Sequence, residues 1–325
     1  LHEWGHFFED ELSRSDSIGG AHWIPGTVEA RVAFGEGGGT AIGAIASGEG
    51  VGCDTGIPAN SGSVLNLETY SSFADEQGFS NEMSVATFLF DLWDAATDGA
   101  DSGSIGFGPI YATMTGLQRD TEAFTTLFSF ATGLRQNVDA VDIALVDALL
   151  EQENIDTGSL DIWASGQTTE PAFWHNGQPV RDLLPLYTDI VAGGPAVNLC
   201  VNDAQVIATH GNKPGEWRYL RFTLAAAQDL TLQIAANPVP PDLNPTADQR
   251  DRSDPDVFLY QSGVVRGFGR SGDADQEIFD MGLLEAGTYT LAFQDWRYED
   301  GVTDTDPPAK HPDYPSQVCF DFTLN

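Results

Sequence analysis

The sequence predicts an α+β multidomain protein in which a mainly helical lobe precedes an all-β, jelly-roll-like sandwich. Three observations predict this class. Apolar residues recur with a helical period before residue 190, whereas short runs with a period of two follow residue 197. Between them, the stretch VAGGPAV (191–197) marks a change in composition. A chain of 325 residues can bury two cores, so we assign 1–195 to the first domain and 196–325 to the second.

Three segments of the first region predict amphipathic helices. In EMSVATFLFDLWDAATD (82–98), the apolar residues fall at i, i+3, i+4, i+7 and i+8. The same pattern recurs in DTEAFTTLFSFATGL (120–134), which begins with the cap-type residues Asp120 and Thr121, and in NVDAVDIALVDALLEQ (137–152). Glycine-rich loops are predicted at 48–62 and 99–108.

Alternating runs in the second region predict strands. They are separated by clusters of Pro, Asp, Asn and Gly, as in an antiparallel sandwich. The runs are WRYLRFTL (217–224), DLTLQIAA (229–236), DVFLYQSG (256–263), GTYTLAFQDW (287–296) and VCFDFTL (318–324).

Cysteines bracket this second region. If Cys200 and Cys319 lie on strands of one sandwich, a disulfide between them ties its two ends together and implies an oxidising compartment. Cys53 is then left without a partner in this sequence.

The charge excludes two classes of partner. Fourteen Lys and Arg against 49 Asp and Glu give a formal charge of −35, which repels nucleic acid and anionic lipid. Such a surface is typical of a protein that stays soluble in high salt or binds Ca²⁺. No apolar run approaches the roughly 18 residues of a membrane-spanning helix, so no span is expected. No signal peptide is visible in the sequence.

The first ten residues, LHEWGHFFED, contain the pattern H-E-x-x-H. Positions i and i+4 of a helix share one face, so the imidazoles of His2 and His6 can bind one metal ion. Glu3 is placed to accept a proton from an attacking water. The pattern therefore predicts a zinc site with a carboxylate base.

A catalytic zinc needs a third protein ligand. Glu9 and Asp10 are close in sequence, but helix geometry excludes both as ligands. Asp10 is eight residues beyond His2, about 12 Å along a helix axis, and therefore too far away. Two candidates remain from the residues alone. Glu36 lies in RVAFGEGGGTAIGAIAS (31–47), and His22 lies in SIGGAHW (17–23), where it can serve as a ligand or contact substrate.

HEWGH followed thirty residues later by FGEG resembles the gluzincin metallopeptidases, most of all the fungalysin- and thermolysin-like members. The resemblance implies a zincin-like lobe over 1–195, with His2, His6 and Glu36 as zinc ligands and Glu3 as general base. Fungalysins usually carry an Asp four residues after the ligand Glu, where this chain has Thr40, so the outer partner of a zinc histidine must differ. Zincins also carry a β-sheet before this helix, so the sequence is expected to be N-terminally incomplete.

A peptidase needs a donor for the oxyanion of its tetrahedral intermediate, typically His or Tyr. The candidates are Tyr70, Tyr111 and His175, although packing or loop structure is the favoured role for each of them. Glu82 is expected to stabilise a helix start, with a place in the cleft as the alternative.

DRSDPDVFLYQSG (251–263) and EIFDMGLLEAGTYTLAFQDW (277–296) resemble the prepeptidase C-terminal domain found behind many secreted bacterial peptidases. The resemblance implies an accessory module for secretion, anchoring or docking, without catalytic residues. Asp254, Asp256 and Asp273 form a candidate Ca²⁺ site, with solvated turn aspartates as the alternative. A second open question concerns three aromatic residues that form either a binding surface or part of the core: Trp217, Tyr260 and Trp296.

These observations predict a secreted zinc endopeptidase that acts on protein or peptide substrates outside the cell, in the periplasm or at the cell surface. The alternative is a non-catalytic extracellular binding or assembly protein. Such a protein would keep the zincin-like lobe as a scaffold and act through a calcium-binding sandwich.

Overall fold

The computed structural model divides the chain into two compact units. The helical unit comprises Leu1–Ile18 and Trp23–Ala172, and the sheet unit comprises Gly19–His22 and Phe173–Asn325. The structure describes only the backbone of residues 53–56, 61–63, 173–175 and 178–180. The residues that the structure describes are 1–20, 22, 27–56, 61–70, 77–95, 102–168, 173–175, 178–180, 183–202, 212–240, 252–298 and 315–325.

The helical unit contains six α-helices and a hairpin among its described residues. The helices are α1 (His2–Leu12), α2 (Ala30–Ser47), α3 (Glu82–Trp93), α4 (Phe107–Thr113), α5 (Leu127–Asn137) and α6 (Ala140–Gln152). The helix α4 continues into a π-helical turn, Met114–Gln118, and short 3₁₀ turns lie at Leu67–Thr69 and Thr157–Ser159. No helix in the described part of the chain is long and apolar enough to cross a bilayer.

The predicted helices form, with one different start. The carboxamide oxygen of Asn81 accepts hydrogen bonds from the N–H groups of Met83 and Ser84, which begins α3. The expected start of α5 near Asp120 is wrong, since the helix begins at Leu127. Thr126 and Ser129 form a reciprocal capping box there, which satisfies the first N–H groups seven residues later than the sequence suggested.

The glycine-rich segment 48–62 is more regular than predicted. It contributes the strand β1 (Val51–Gly56), which pairs antiparallel with β2 (Ser61–Asn66). The side chain of Cys53, on β1, lies outside the described side chains. This hairpin corrects the prediction of a structureless loop.

Two sheets enclose the core of the sheet unit, which also has a separate hairpin of β3 (Phe173–His175) and β4 (Gln178–Val180). The first sheet has the order β10-β9-β12-β7-β5 and the second β11-β8-β13-β6. Only β5 and β7 pair in parallel among the described strands. The strands are β5 (Tyr187–Asp189), β6 (Val197–Asn202), β7 (Trp217–Leu224), β8 (Gln228–Ala236), β9 (Pro255–Gln261), β10 (Val264–Gly269), β11 (Gln276–Leu284), β12 (Gly287–Asp295) and β13 (Gln317–Leu324).

Alternating side chains of both sheets form one apolar cluster, as in a sandwich. Tyr289, Leu291 and Phe293 of β12 all point into it, as their spacing predicted. The division at 172/173 lies upstream of the composition shift near 195. Because β5 already pairs with β7, the chain enters the sheet unit before the strand-rich sequence begins.

The predicted disulfide between Cys200 and Cys319 is confirmed. The two residues lie directly opposite each other on β6 and β13. The bond therefore joins an edge strand to its neighbour across a sequence separation of 119 residues.

Candidate metal centre

Glycines bring α1 and α2 together at backbone distance. A Cβ on Gly5 would lie 2.6 Å from both the Cα and the carbonyl oxygen of Gly39, a separation that real Cβ atoms essentially never show. A Cβ on Gly39 would in turn lie 3.0 Å from Cε1 of His6. Each helical glycine costs about 0.5–1 kcal/mol relative to alanine. That cost is offset here because only glycine allows the histidines of α1 to reach α2.

The opposite side of α2 is equally close to α3. A Cβ on Gly37 would clash with the carbonyl oxygen of Glu82 and the side chain of Val85. The residues of α2 from Ala30 to Gly39 are all buried. This helix therefore holds Glu36 in a fixed position between two neighbouring helices.

Three electron-donating atoms converge at the crossing of α1 and α2. The Oε2 atom of Glu36 lies 3.2 Å from Nε2 of His2 and 3.2 Å from Nε2 of His6, and the two Nε2 atoms are 3.0 Å apart. Within the described residues, this is the one group of three or more His, Cys, Asp or Glu side chains that can hold a metal ion.

The spacing of these atoms fits a zinc ion. At Zn–N and Zn–O bonds of about 2.0–2.2 Å, a tetrahedral site separates neighbouring donor atoms by roughly 3.3 Å. The observed separations of 3.0–3.2 Å are close to that value. Two imidazoles and one carboxylate are also a donor set that catalytic zinc sites use.

Thr40 serves as the outer partner of His2. Its Oγ1 lies 3.0 Å from Nδ1 of His2, one helical turn beyond Glu36. When Nδ1–H donates to this hydroxyl, the lone pair of Nε2 points towards Glu36 and His6. Thr40 occupies the position at which fungalysins usually carry Asp, and here a hydroxyl makes the contact with His2.

The centre remains open to solvent on the side of α1. The side chains of His2 and His6 are 37% and 31% exposed, whereas that of Glu36 is 11% exposed. Glu3 lies in the first turn of α1 and is exposed. A site with three buried or half-buried donors and an accessible side matches a centre that keeps one position for substrate or water.

Negative charge surrounds His6. The hydrogen bond to Glu36 raises the pKa of His6 above its ordinary value, against the opposing effect of burial, and the charges of Glu36, Glu9 and Glu3 add to the rise. An imidazole in such a field binds cations strongly, whether a proton or a metal ion.

Among the described side chains, the other predicted site residues do not join this group. His22 belongs to the sheet unit, and the side chain of His175, on β3, lies outside the described side chains. Tyr70 packs against a small apolar cluster that includes Leu67 and Phe90. Tyr111 is 43% exposed on α4.

Tyr111 and Glu82 occupy the positions expected for packing and for stabilising a helix start, respectively. The ring of Tyr111 lies 6.0 Å from those of Phe8 and Phe107, so it belongs to an aromatic cluster. Glu82 is buried in the first turn of α3, the position expected of a carboxylate that stabilises a helix start.

The aspartates proposed for Ca²⁺ do not converge on a shared point in the described part of the chain. Asp254 lies 3.7 Å from the guanidinium of Arg297, and its N–H donates to the carboxylate of Asp295. Asp273 donates its N–H to Ser271, and Asp256 is buried on β9. Burial raises the pKa of Asp254, helped by the charges of Glu277 and Asp273 and opposed by Arg297.

Aromatic residues of the sheet unit occupy half-buried positions. The ring of Trp217 lies 5.9 Å from that of Phe258, and the guanidinium of Arg297 lies 5.5 Å from the ring of Trp296. Tyr260 is half-buried opposite Thr290. All three rings are therefore partly buried and partly exposed.

Comparisons with known proteins add a weak structural likeness. No protein-family model matches the chain, and no curated protein matches it. Among solved structures, the chain is similar to the pre-peptidase C-terminal domain of a collagenase from Bacillus anthracis, at 8% sequence identity and a TM-score of 0.25. The match covers 43% of this chain and 94% of that domain. So low a TM-score carries no argument about function.

Sequence reasoning missed two residues of the centre. Gly5 was read as the variable position of H-E-x-x-H, although its contact with Gly39 sets the distance between the ligand helices. Glu9 was considered only as a ligand and excluded, although it is buried beside the centre. For Gly5, the available sequence signal is a small residue inside H-E-x-x-H together with a glycine-rich helix. The role of Glu9 can be recognised only from its burial in the folded structure.

Proposed function

We propose that the protein is a secreted zinc-dependent endopeptidase. The convergence of His2, His6 and Glu36 within 3.0–3.2 Å, with Glu3 on the same helical turn, is the observation that supports this proposal best. The resemblance of HEWGH and FGEG to gluzincins supports the same ligand set. The comparisons neither add to nor subtract from that resemblance.

Glu36 and the two histidines would hold the zinc ion, and Thr40 would hold the ring of His2 in place. A bound zinc ion would supply Lewis-acid chemistry for the scissile carbonyl and for the attacking water. Glu3 accepts the proton of the attacking water and passes it to the leaving amine. Tyr70 and His175 stay predictions as oxyanion donors.

The proposed location outside the cytosol is supported by the disulfide of the sheet unit, because such bonds persist in oxidising compartments. We propose that the sheet unit is a jelly-roll-like accessory domain, similar to those behind secreted peptidases. Its proposed partner is the protein or peptide substrate.

Metal content and activity test the proposal together. Elemental mass spectrometry should find about one zinc per wild-type chain and a large loss in Glu36→Ala. Glu3→Gln should keep its zinc and lose at least a hundredfold of its activity on a fluorogenic peptide library. Zinc retained in Glu36→Ala would remove the proposed site. Full zinc loading without peptidase activity in the wild type would instead favour the non-catalytic binding protein.

A further inference from the structure

Glu9 is a buried carboxyl on the same face of α1 as the two histidines. It follows His6 by three residues and is 4% exposed. Its Oε2 faces α2 at Gly35, where a Cβ would lie 3.5 Å away, directly before Glu36 in the chain. Its Oε1 is buried and has no hydrogen-bond partner among the described residues.

Among the described residues, no Lys or Arg is one of the groups that act on Glu9. The groups that do act on it are Ser15 through a hydrogen bond, His6 on its own helix, Asp16 on the segment after α1 and Glu36 on α2. Burial raises the pKa of Glu9 to about 7, against the smaller effects of Ser15 and His6. By contrast, the equally buried Glu29 lies 3.1 Å from the guanidinium of Arg31.

A metal ion bound at this centre would place a positive charge near the Glu9 carboxylate. Two neutral imidazoles, one carboxylate and a divalent cation sum to one positive charge, which faces a low-dielectric interior on the side of Glu9. Glu9 is not one of the convergent ligand side chains, so it acts on the ion without binding it.

We propose that Glu9 is the buried counter-charge of the metal centre, a carboxylate that stabilises a bound divalent cation without ligating it. This inference rests on the proposed metal site. Glu9 acts on the metal ion through its charge, and it is not a catalytic residue.

A proton transfer follows from this role. In the metal-free chain below about pH 7, most Glu9 carboxyls hold a proton, because burial raises the pKa of Glu9 to about 7. When a divalent cation enters, the O–H bond of Glu9 breaks, the proton goes to solvent and the electron pair stays on the carboxylate. Binding therefore releases one proton more than the three ligands alone account for, over the pH range in which Glu9 is protonated.

Zinc titration of the full chain tests the inference without an activity assay. Zinc affinity is measured at pH 8 by competition with a chromophoric chelator, and proton release at pH 6.5 by calorimetry in two buffers of different ionisation enthalpy. Glu9→Gln should bind zinc roughly tenfold more weakly and release roughly 0.7 fewer protons than the wild type. Glu11→Gln, an exposed change on the same helix, is the matched control and should match the wild type in both measurements.

Each outcome decides between defined alternatives. Equal affinity and equal proton release in Glu9→Gln and the wild type would overturn the counter-charge and leave the metal site intact. No zinc binding by the wild type would overturn the proposed function together with this inference. If Glu9→Gln does not fold, Glu9→Met removes the charge with an apolar side chain of similar length and gives the same comparison.

Discussion

Two buried aspartates of the sheet unit and two buried glutamates of the helical unit have different surroundings. In the sheet unit, Asp275 accepts a hydrogen bond from Ser253 and pairs with Arg252, and Asp295 accepts from the N–H groups of Asp254 and Arg297. In the helical unit, burial raises the pKa of both Glu9 and Glu153 to about 7.

This difference separates carboxylates that stabilise the fold from carboxylates that can respond to a ligand or a proton. A carboxylate that is paired or hydrogen-bonded on folding stays ionised and holds loops together. A buried carboxylate without a cation stores a free energy that a ligand or a proton can release. The convergent ligands lie in the helical unit together with Glu9 and Glu153, and the following predictions test the metal centre and these carboxylates.

The glycine contact between α1 and α2 should have the largest effect on zinc affinity. Gly5→Ala places a Cβ 2.6 Å from the backbone of Gly39, so the helices must separate. We expect zinc affinity to fall about a hundredfold and the free energy of unfolding to fall by about 2 kcal/mol. Chelator competition and urea unfolding measure the two quantities.

Gly38→Ala is the control for that change. No atom lies within 4 Å of a Cβ at Gly38, so alanine should stabilise α2 by about 0.5–1 kcal/mol and leave zinc affinity unchanged. Equal zinc affinities for Gly5→Ala and the wild type would show that the close crossing does not set the ligand spacing.

The disulfide should matter to the sheet unit alone. The pair Cys200→Ser and Cys319→Ser removes a cross-link over 119 residues, which should lower the free energy of unfolding of that unit by about 4 kcal/mol. Zinc affinity should not change, because every proposed ligand lies on α1 or α2. A loss of zinc binding in the double variant would contradict this separation.

Glu153 should make stability depend on pH. Burial raises its pKa from 4.5 to about 7, against hydrogen bonds with Ser84, Gln152 and Thr87. The folded state therefore holds the proton more tightly than the unfolded state. The resulting stability is fully present below pH 4.5 and is lost as pH rises through about 7.

Removing the carboxyl should remove this dependence. Relative to the wild type, Glu153→Gln should be more stable by about 3 kcal/mol at pH 8.5 and nearly unchanged at pH 4.5, as judged by urea unfolding. Glu122→Gln, an exposed change in the same unit, should differ little at either pH. The same gain at both values would mean that Glu153 does not titrate between them.

The hydroxyl of Thr40 carries the smallest expected effect. Thr40→Val keeps the shape and removes the partner of His2 Nδ1, so zinc affinity should fall about tenfold. Thr223→Val removes an exposed hydroxyl pair on β7 and should leave zinc affinity unaltered. An unchanged affinity in Thr40→Val would indicate that water orients His2 as well as threonine does.

The predictable parts of the molecule are those whose cause is local. The period of 3.6 placed α3 and α6, and the period of two placed β7, β8 and β12, because burial of one face repeats along each element. His2 and His6 are separated by one helical turn, so a short pattern suffices to pair them. The start of α5 was wrong because the side chain of Ser129 decides it, and the competing cap at Asp120 looked equally good in sequence.

The remaining parts depend on residues that meet only after folding. The third ligand stayed open between Glu36 and His22, although the helix-compatible, glycine-rich segment around Glu36 and then the family resemblance both favoured Glu36. Thr40 and Gly5 contact the opposite helix of the crossing, more than thirty residues away in sequence. Their roles follow from docking of the two helices, which sequence patterns do not encode.

The contact of Gly5 with Gly39 also determines when the centre exists during folding. The donors of α1 and α2 are apart until the two helices dock, because each helix alone presents an incomplete set. An ion that recognises only the docked pair cannot hasten docking, whereas it slows the reverse step. Zinc should therefore act on the unfolding rate of this region and leave its folding rate nearly untouched.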